Sequence, residues 1–177
     1  HYARGGVIFV EIMQNSDITY GLAHYMQKAK PGRERERAEE LAEQIHLEDN
    51  FECKTSHVAI KHGRNTQTFI FACRHFAMER LDLAVDQELD LDGKRFYVIS
   101  QIEGSSRIIC DDHIETLRPG NSCLLPASLE SAKLEPQANA SLLKMYVPDL
   151  IANVIEPLRA LGISDEDIVG LGGYTEL

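Results

Sequence analysis

From Thr68 to Tyr146 the chain breaks into short runs rich in β-branched and aromatic residues, separated by turn chemistry every few positions. That rhythm constrains the fold most, because it leaves no room for long helices and favours strands. The runs are Thr68–Leu83, Arg95–Glu103, Ser106–Cys110, Ile114–Leu117, Asn121–Pro126, Ala132–Leu134 and Ser141–Tyr146. Between them stand Asp92-Gly93, Gly104-Ser105, Arg118-Pro119-Gly120 and Gln137-Ala138-Asn139. Short strands at this spacing predict an all-β sandwich or barrel of antiparallel sheets.

The flanks read differently. Gly5-Gly6 forms a turn feeding the run Val7–Ile12, read as a mostly buried strand, and Ile18–Leu22 follows as a second strand after the break Gln14–Asp17. After Pro31-Gly32 a helix is expected from about Arg33 to Leu47. Its Ala38, Leu41, Ala42 and Ile45 fall on one buried stripe, while Arg35 and Glu39 sit at i, i+4 on a solvated face. After Pro148 the run Asp149–Leu161 is amphipathic and predicted helical, bent at Pro157. Ser164 then caps a short final helix ending at Gly170, whose acidic first turn suits the positive end of the helix dipole.

Composition excludes some functions. A net charge of −10 over 177 residues argues against a general partner of nucleic acid or of an anionic membrane surface. It leaves room for a phosphorylated small molecule, which needs only a local cluster of cations. No stretch approaches the roughly 18 apolar residues that would suggest a membrane span. The four cysteines, Cys53, Cys73, Cys110 and Cys123, show no paired spacing, and are expected to be reduced, buried thiols of a cytoplasmic protein. The chain opens on His1 with no initiator Met and no signal peptide, and is expected to be a piece of a longer protein. His24, His46, His57, His62, His75 and His113 show no tight ligand spacing and read as surface or structural residues.

Leu117-Arg118-Pro119-Gly120, five further residues and then Pro126-Ala127 resemble the second signature of cupins: a glycine turn, a strand, and a proline at the next turn. A metal-binding cupin continues with a glycine and a histidine. Here Ser128 stands at the glycine position, and Leu129-Glu130-Ser131 supply no histidine, so this half is expected to be a metal-free, RmlC-like jelly roll.

The segment Gly6-Val7-Ile8-Phe9-Val10-Glu11-Ile12-Met13-Gln14-Asn15-Ser16-Asp17-Ile18-Thr19-Tyr20, with His1 before it, closely resembles a stretch of bacterial type I mannose-6-phosphate isomerases. The likeness is clear again in Phe76–Leu81, in Phe96–Ser100 and in Gly120…Leu125-Pro126-Ala127, and so extends to about Pro148. The resemblance implies a cupin jelly roll with added helices, cut so that it begins at the last zinc-binding histidine. Residues 1–65 would complete an upstream zinc-bearing half, 66–147 would form the second, metal-free jelly roll, and 148–177 a helical extension.

The same resemblance implies zinc as cofactor and a sugar phosphate as substrate. It makes His1 a zinc ligand. Glu11 would orient sugar hydroxyls or move protons, and Asp17 would hold its loop or contact the substrate. The family reaction interconverts mannose 6-phosphate and fructose 6-phosphate through an enediol, with zinc as Lewis acid or template. The other zinc ligands would come from the upstream N-terminal half, in the same polypeptide or a separate chain. One position departs from the family pattern: Gly21 stands where the family carries an active-site arginine. Either a nearby cation replaces it, Lys30 in particular or Lys28 or Arg33, or the ligand differs, or the protein is a non-catalytic sugar-phosphate-binding or regulatory relative. A structural subunit supporting a catalytic partner chain is a third reading.

Overall fold

A computed structural model of the chain describes residues 6, 9–13, 39, 42 and 54–172. Contacts divide the chain into two compact units, His1–Glu52 and Cys53–Leu177. In the first unit Gly6 lies in a turn, as expected. Residues 9–13 are irregular where a buried strand was predicted: only Ile12 is half-buried, and Phe9 and Met13 are 56% and 73% exposed. A strand is stabilised by its ladder, and none of the described ladders includes this segment. Glu39 and Ala42 are helical, in line with the expected helix, but Ala42 is exposed instead of lying on a buried stripe. The rest of that helix and the strand Ile18–Leu22 lie outside the described residues.

The second unit is the predicted antiparallel sandwich. Its ten strands are β1 (Val58–His62), β2 (Asn65–Ala72), β3 (Ala77–Leu83), β4 (Gln87–Asp90), β5 (Tyr97–Glu103), β6 (Ser106–Cys110), β7 (His113–Leu117), β8 (Ser122–Leu125), β9 (Ser131–Pro136) and β10 (Ala140–Tyr146). One sheet runs β1-β2-β3-β10-β5-β8 and the other β4-β9-β6-β7. All the described strand pairs are antiparallel.

Period-two alternation explains which side chains meet. In β3 every second residue, Ala77, Glu79, Leu81 and Leu83, is buried. Across the ladder these face Tyr146, Lys144, Leu142 and Ala140 of β10. Ile99 of β5, and Leu89, Ile108, Ala132 and Leu134 of the second sheet, belong to the same apolar core. The polar Asn65 fixes the corner between β3 and β4. Its Oδ1 accepts from Ala84 N–H (2.9 Å) and Val85 N–H (3.1 Å), while its Nδ2 donates to Val85 O (3.1 Å). At the β5–β6 turn Gly104 has φ +67°, and a Cβ there would overlap the Asn139 carbonyl oxygen, so both backbone sign and space call for glycine.

One expected run is split in two, and two strands stand where none was expected. The run Thr68–Leu83 is two strands, split by a turn in which Cys73 N–H donates to Phe76 O at 2.9 Å. The strands β1 and β4 were not anticipated. Each has a single buried residue, Val58 and Leu89 respectively, so neither carries an alternating apolar face long enough to read.

The expected bent helix after Pro148 is a π-helical turn, Ile151–Ile155, followed by α1 (Glu156–Ala160). Pro157 explains the wide turn: it has no N–H and its ring crowds the carbonyl four residues earlier. The final helix α2 (Asp165–Gly170) starts as predicted, with Ser164 Oγ accepting from Asp167 N–H at 3.2 Å. After it the chain is tied to the sandwich by Ala72 N–H donating to Leu171 O and Ser56 N–H to Gly170 O, both at 3.1 Å. Val154, Leu158, Ile168 and Leu171 are 0–2% exposed and belong to the barrel's own apolar cluster. No helix among the described residues is long and apolar enough to cross a membrane.

Because Leu158 is fully buried in that shared core, Leu158→Ala is expected to destabilise the whole unit by about 2–5 kcal/mol. Thermal or urea unfolding should show one transition at a lower midpoint. Loss of the helical segment alone, with the sheet transition unmoved, would contradict a shared core.

Candidate functional site

Among the buried polar side chains of the six-stranded sheet, one is a carboxylate. Glu79 on β3 is 1% exposed. It receives Tyr146 O–H on Oε1 at 2.5 Å and Gln67 Nε2–H on Oε2 at 2.6 Å. The Lys144 ammonium lies 2.8 Å from the same Oε2. These partners come from β2 and β10, the two strands flanking β3, and Lys144 is the direct cross-strand partner of Glu79. The alternation that buries Leu81 and Leu83 therefore buries Glu79 as well, and the register brings the lysine to it.

Polar contacts continue outward and sideways. Because Gln67 must turn its NH2 to the carboxylate, its Oε1 is left to accept, and His62 Nε2 stands 3.1 Å from it. This assigns the exposed His62 the tautomer with the proton on Nε2. Lys144 Nζ also lies 5.1 Å from the ring centre of Tyr146 and 5.9 Å from that of Tyr97, within cation–π range. The two tyrosine rings are 5.2 Å apart and tilted by 42°. Together these groups line a cavity of about 250 Å³ at the barrel mouth, closed on one side by Asn153, Pro157, Leu158 and Leu161.

Arg95 holds that closure in place. It pairs with Asp92 at 2.7 Å and donates to the Val147 carbonyl at 2.9 Å and to Asn153 Oδ1. Burial first, then the Glu79 charge and hydrogen bond, push the Tyr146 phenol well above its ordinary value, so it stays a donor. Burial, followed by the Asp92 charge, raises Tyr97 as well. A buried ion pair of this kind is a weak stabiliser. Its desolvation cost offsets much of the attraction, although removing one partner alone costs about 3–5 kcal/mol.

None of these residues was singled out from sequence for chemistry. The available signal was a charged residue on an inward position of an apolar alternation: Glu79 between Ala77 and Leu81, and Lys144 between Leu142 and Tyr146. Of the residues proposed from sequence, Glu11 is solvent-exposed in the irregular segment 9–13. His1, Asp17 and Lys30 lie outside the described residues. Among the described residues no group of three or more His, Cys, Asp or Glu side chains is placed to hold a metal ion.

With the geometry in hand, comparison with known proteins gives a consistent result. Residues 65–145 match the family described as "Mannose-6-phosphate isomerase, cupin domain". Mannose-6-phosphate isomerase ManA of Bacillus subtilis (strain 168) is 32% identical over 139 residues, covering 78% of this chain and 44% of that protein. The chain thus spans less than half the length of this curated relative. The crystal structure of the mannose 6-phosphate isomerase from Bacillus subtilis overlaps 56% of this chain and 30% of its own, at 19% identity and a TM-score of 0.45. An RmlC-like cupin from Shewanella frigidimarina NCIMB 400 overlaps 59% of this chain and 95% of its own, at 13% identity and a TM-score of 0.46. The two-sheet antiparallel sandwich is a cupin jelly roll.

The Tyr146–Glu79 bond has a pH signature. The unfolded phenol ionises near 10, while the folded one holds its proton to higher pH. Its contribution is therefore fully present below about pH 10 and is lost as pH rises beyond it. Denaturant midpoints at about pH 8 and about pH 11 should fall less steeply for Tyr146→Phe than for the wild type. At the lower pH the variant should be weaker by about 1.5–3 kcal/mol, the cost of a hydrogen bond to a charged group. Parallel slopes would remove Tyr146 as the origin.

Proposed function

We propose, from the premise that this chain belongs through residues 65–145 to the mannose-6-phosphate isomerase cupin-domain family, that the complete protein is a sugar-phosphate isomerase interconverting mannose 6-phosphate and fructose 6-phosphate. The observation that carries this reading is the length of the likeness to ManA, which runs well beyond the matched domain. The motif at His1 and Gly6–Tyr20 agrees with it.

In this reading His1 is a zinc ligand, and the remaining ligands come from sequence upstream of it, in the same or a separate polypeptide. Bound zinc would act as Lewis acid or template for an enediol. Glu11, which is exposed, orients sugar hydroxyls or moves the proton between C1 and C2. Asp17 contacts the sugar and Lys30 the phosphate, the lysine standing in for the arginine that Gly21 replaces. The described residues of the barrel do not fit zinc, since no three His, Cys, Asp or Glu side chains converge there and the buried Glu79 carboxylate is already bound by Lys144, Tyr146 and Gln67.

A second reading is favoured by Gly21 alone: a relative that binds a sugar phosphate without turning it over. A coupled assay for fructose 6-phosphate formation, run on the complete protein with and without a zinc chelator, separates the two. Chelator-sensitive turnover is expected. His1→Ala should lose zinc and rate together, by more than the roughly 10–100-fold that losing a hydrogen-bond partner behind a metal ligand costs. Retention of both would sink the proposal. Binding without turnover, with rate recovered in Gly21→Arg, would establish the second reading.

A further inference from the structure

We propose that the mouth of the jelly roll is a second binding site, for an uncharged polyol the size of one hexose ring. It goes beyond the isomerase reading, whose residues lie between positions 1 and 30.

The size of the cavity sets the first limit. At about 250 Å³ it is smaller than the roughly 300–1,000 Å³ of drug-sized ligand pockets, a size that suits a single small ring. Charge sets the second. The Lys144 ammonium is matched by Glu79 at 2.8 Å, and Asp90 adds another carboxylate to the lining. Arg95, the neighbouring cation, is already engaged by Asp92, Val147 and Asn153. A phosphate or carboxylate would therefore enter a mouth with no spare positive charge. A ligand cation is excluded as well, because Lys144 already occupies the position beside the two tyrosine rings.

What remains open is hydrogen bonding beside an aromatic surface. Tyr97 is 5% exposed as a whole, and its hydroxyl has no protein partner among the described residues, which leaves it open to water or a ligand. Asn153 spends its Oδ1 on Arg95 and on Asp149 N–H, leaving its NH2 without a protein partner among the described residues. Lys144 has three protons and makes one ion pair among the described residues, to Glu79. Hydroxyls, which both donate and accept, complement such a set, and the C–H faces of a sugar ring pack on Tyr97 and Tyr146. The polar cluster is also costly for the fold to maintain, since apolar residues of equal volume are often as stable as a buried pair. A recognition role accounts for its presence.

The test uses the 177-residue chain and four free polyols: mannose, fructose, glucose and myo-inositol. Calorimetry supplies the dissociation constant, and the change in tyrosine emission on binding, compared between wild type and Tyr97→Phe, reports the share that comes from the site. Saturable binding of at least one polyol is expected. Tyr97→Phe should weaken it ten-fold or more with an unchanged melting temperature, Lys144→Met should abolish it, and inorganic phosphate should not compete. His1→Ala should leave binding intact, which separates this site from the isomerase reading. No saturable binding by the folded wild type overturns the proposal. So does wild-type affinity in Tyr97→Phe, displacement by phosphate, or loss of binding in His1→Ala.

Discussion

The pairing of β3 with β10 at the centre of the six-stranded sheet decides almost everything else in this domain. Ala77, Glu79, Leu81 and Leu83 face Tyr146, Lys144, Leu142 and Ala140 one for one. A slip of one residue would turn the leucines to solvent and bring Met78, Arg80 and Asp82 inward, so burial fixes the register tightly. Once the register is fixed, so is the ion pair. Glu79 cannot be buried without Lys144 opposite it, and the two tyrosines follow on the same face. The apolar core and the polar mouth are therefore two consequences of one alternation.

The C-terminal segment is bound to this arrangement by packing and by hydrogen bonds. Leu158 and Leu171 fill the same apolar cluster as the strands, and Arg95 at the head of β5 reaches both Val147 and Asn153. The helices close the mouth where Pro157, Leu158 and Leu161 meet the cavity. Pro157 forces a π turn just where Asn153 must present its amide, so a local backbone irregularity and a site residue share a cause.

Much of this was legible from sequence, for definite reasons. The short β-rich runs and the turn chemistry between them announced an antiparallel sandwich, and Ser164 announced α2. The strands β1 and β4 were illegible because one buried residue each gives no periodicity. The mouth was illegible for a different reason. Tyr146 and Glu79 are 67 positions apart, and only the strand order makes them neighbours. A charged residue on an inward position is a visible anomaly, but its partner cannot be read until the ladder is known. The candidates His1, Glu11, Asp17 and Lys30 came instead from a family resemblance. That resemblance named residues outside the jelly roll, and so pointed away from the cluster inside it.

The two proposed sites impose opposite electrostatic demands. A phosphorylated sugar carries about −1.5 to −2 charge at neutral pH, so its site must offer cations not already neutralised. The barrel mouth offers none: Lys144 is matched by Glu79 and Arg95 by Asp92. The basic residues that remain for a phosphate in the isomerase reading are Lys28, Lys30 and Arg33, close in sequence to Gly21. With a net charge of −10 on the whole chain, such a cluster would have to act locally and against the overall field. The loss of arginine at position 21 thus falls on the half of the problem that needs charge. The jelly roll, whose Lys144 and Arg95 are matched by Glu79 and Asp92, is not affected by it.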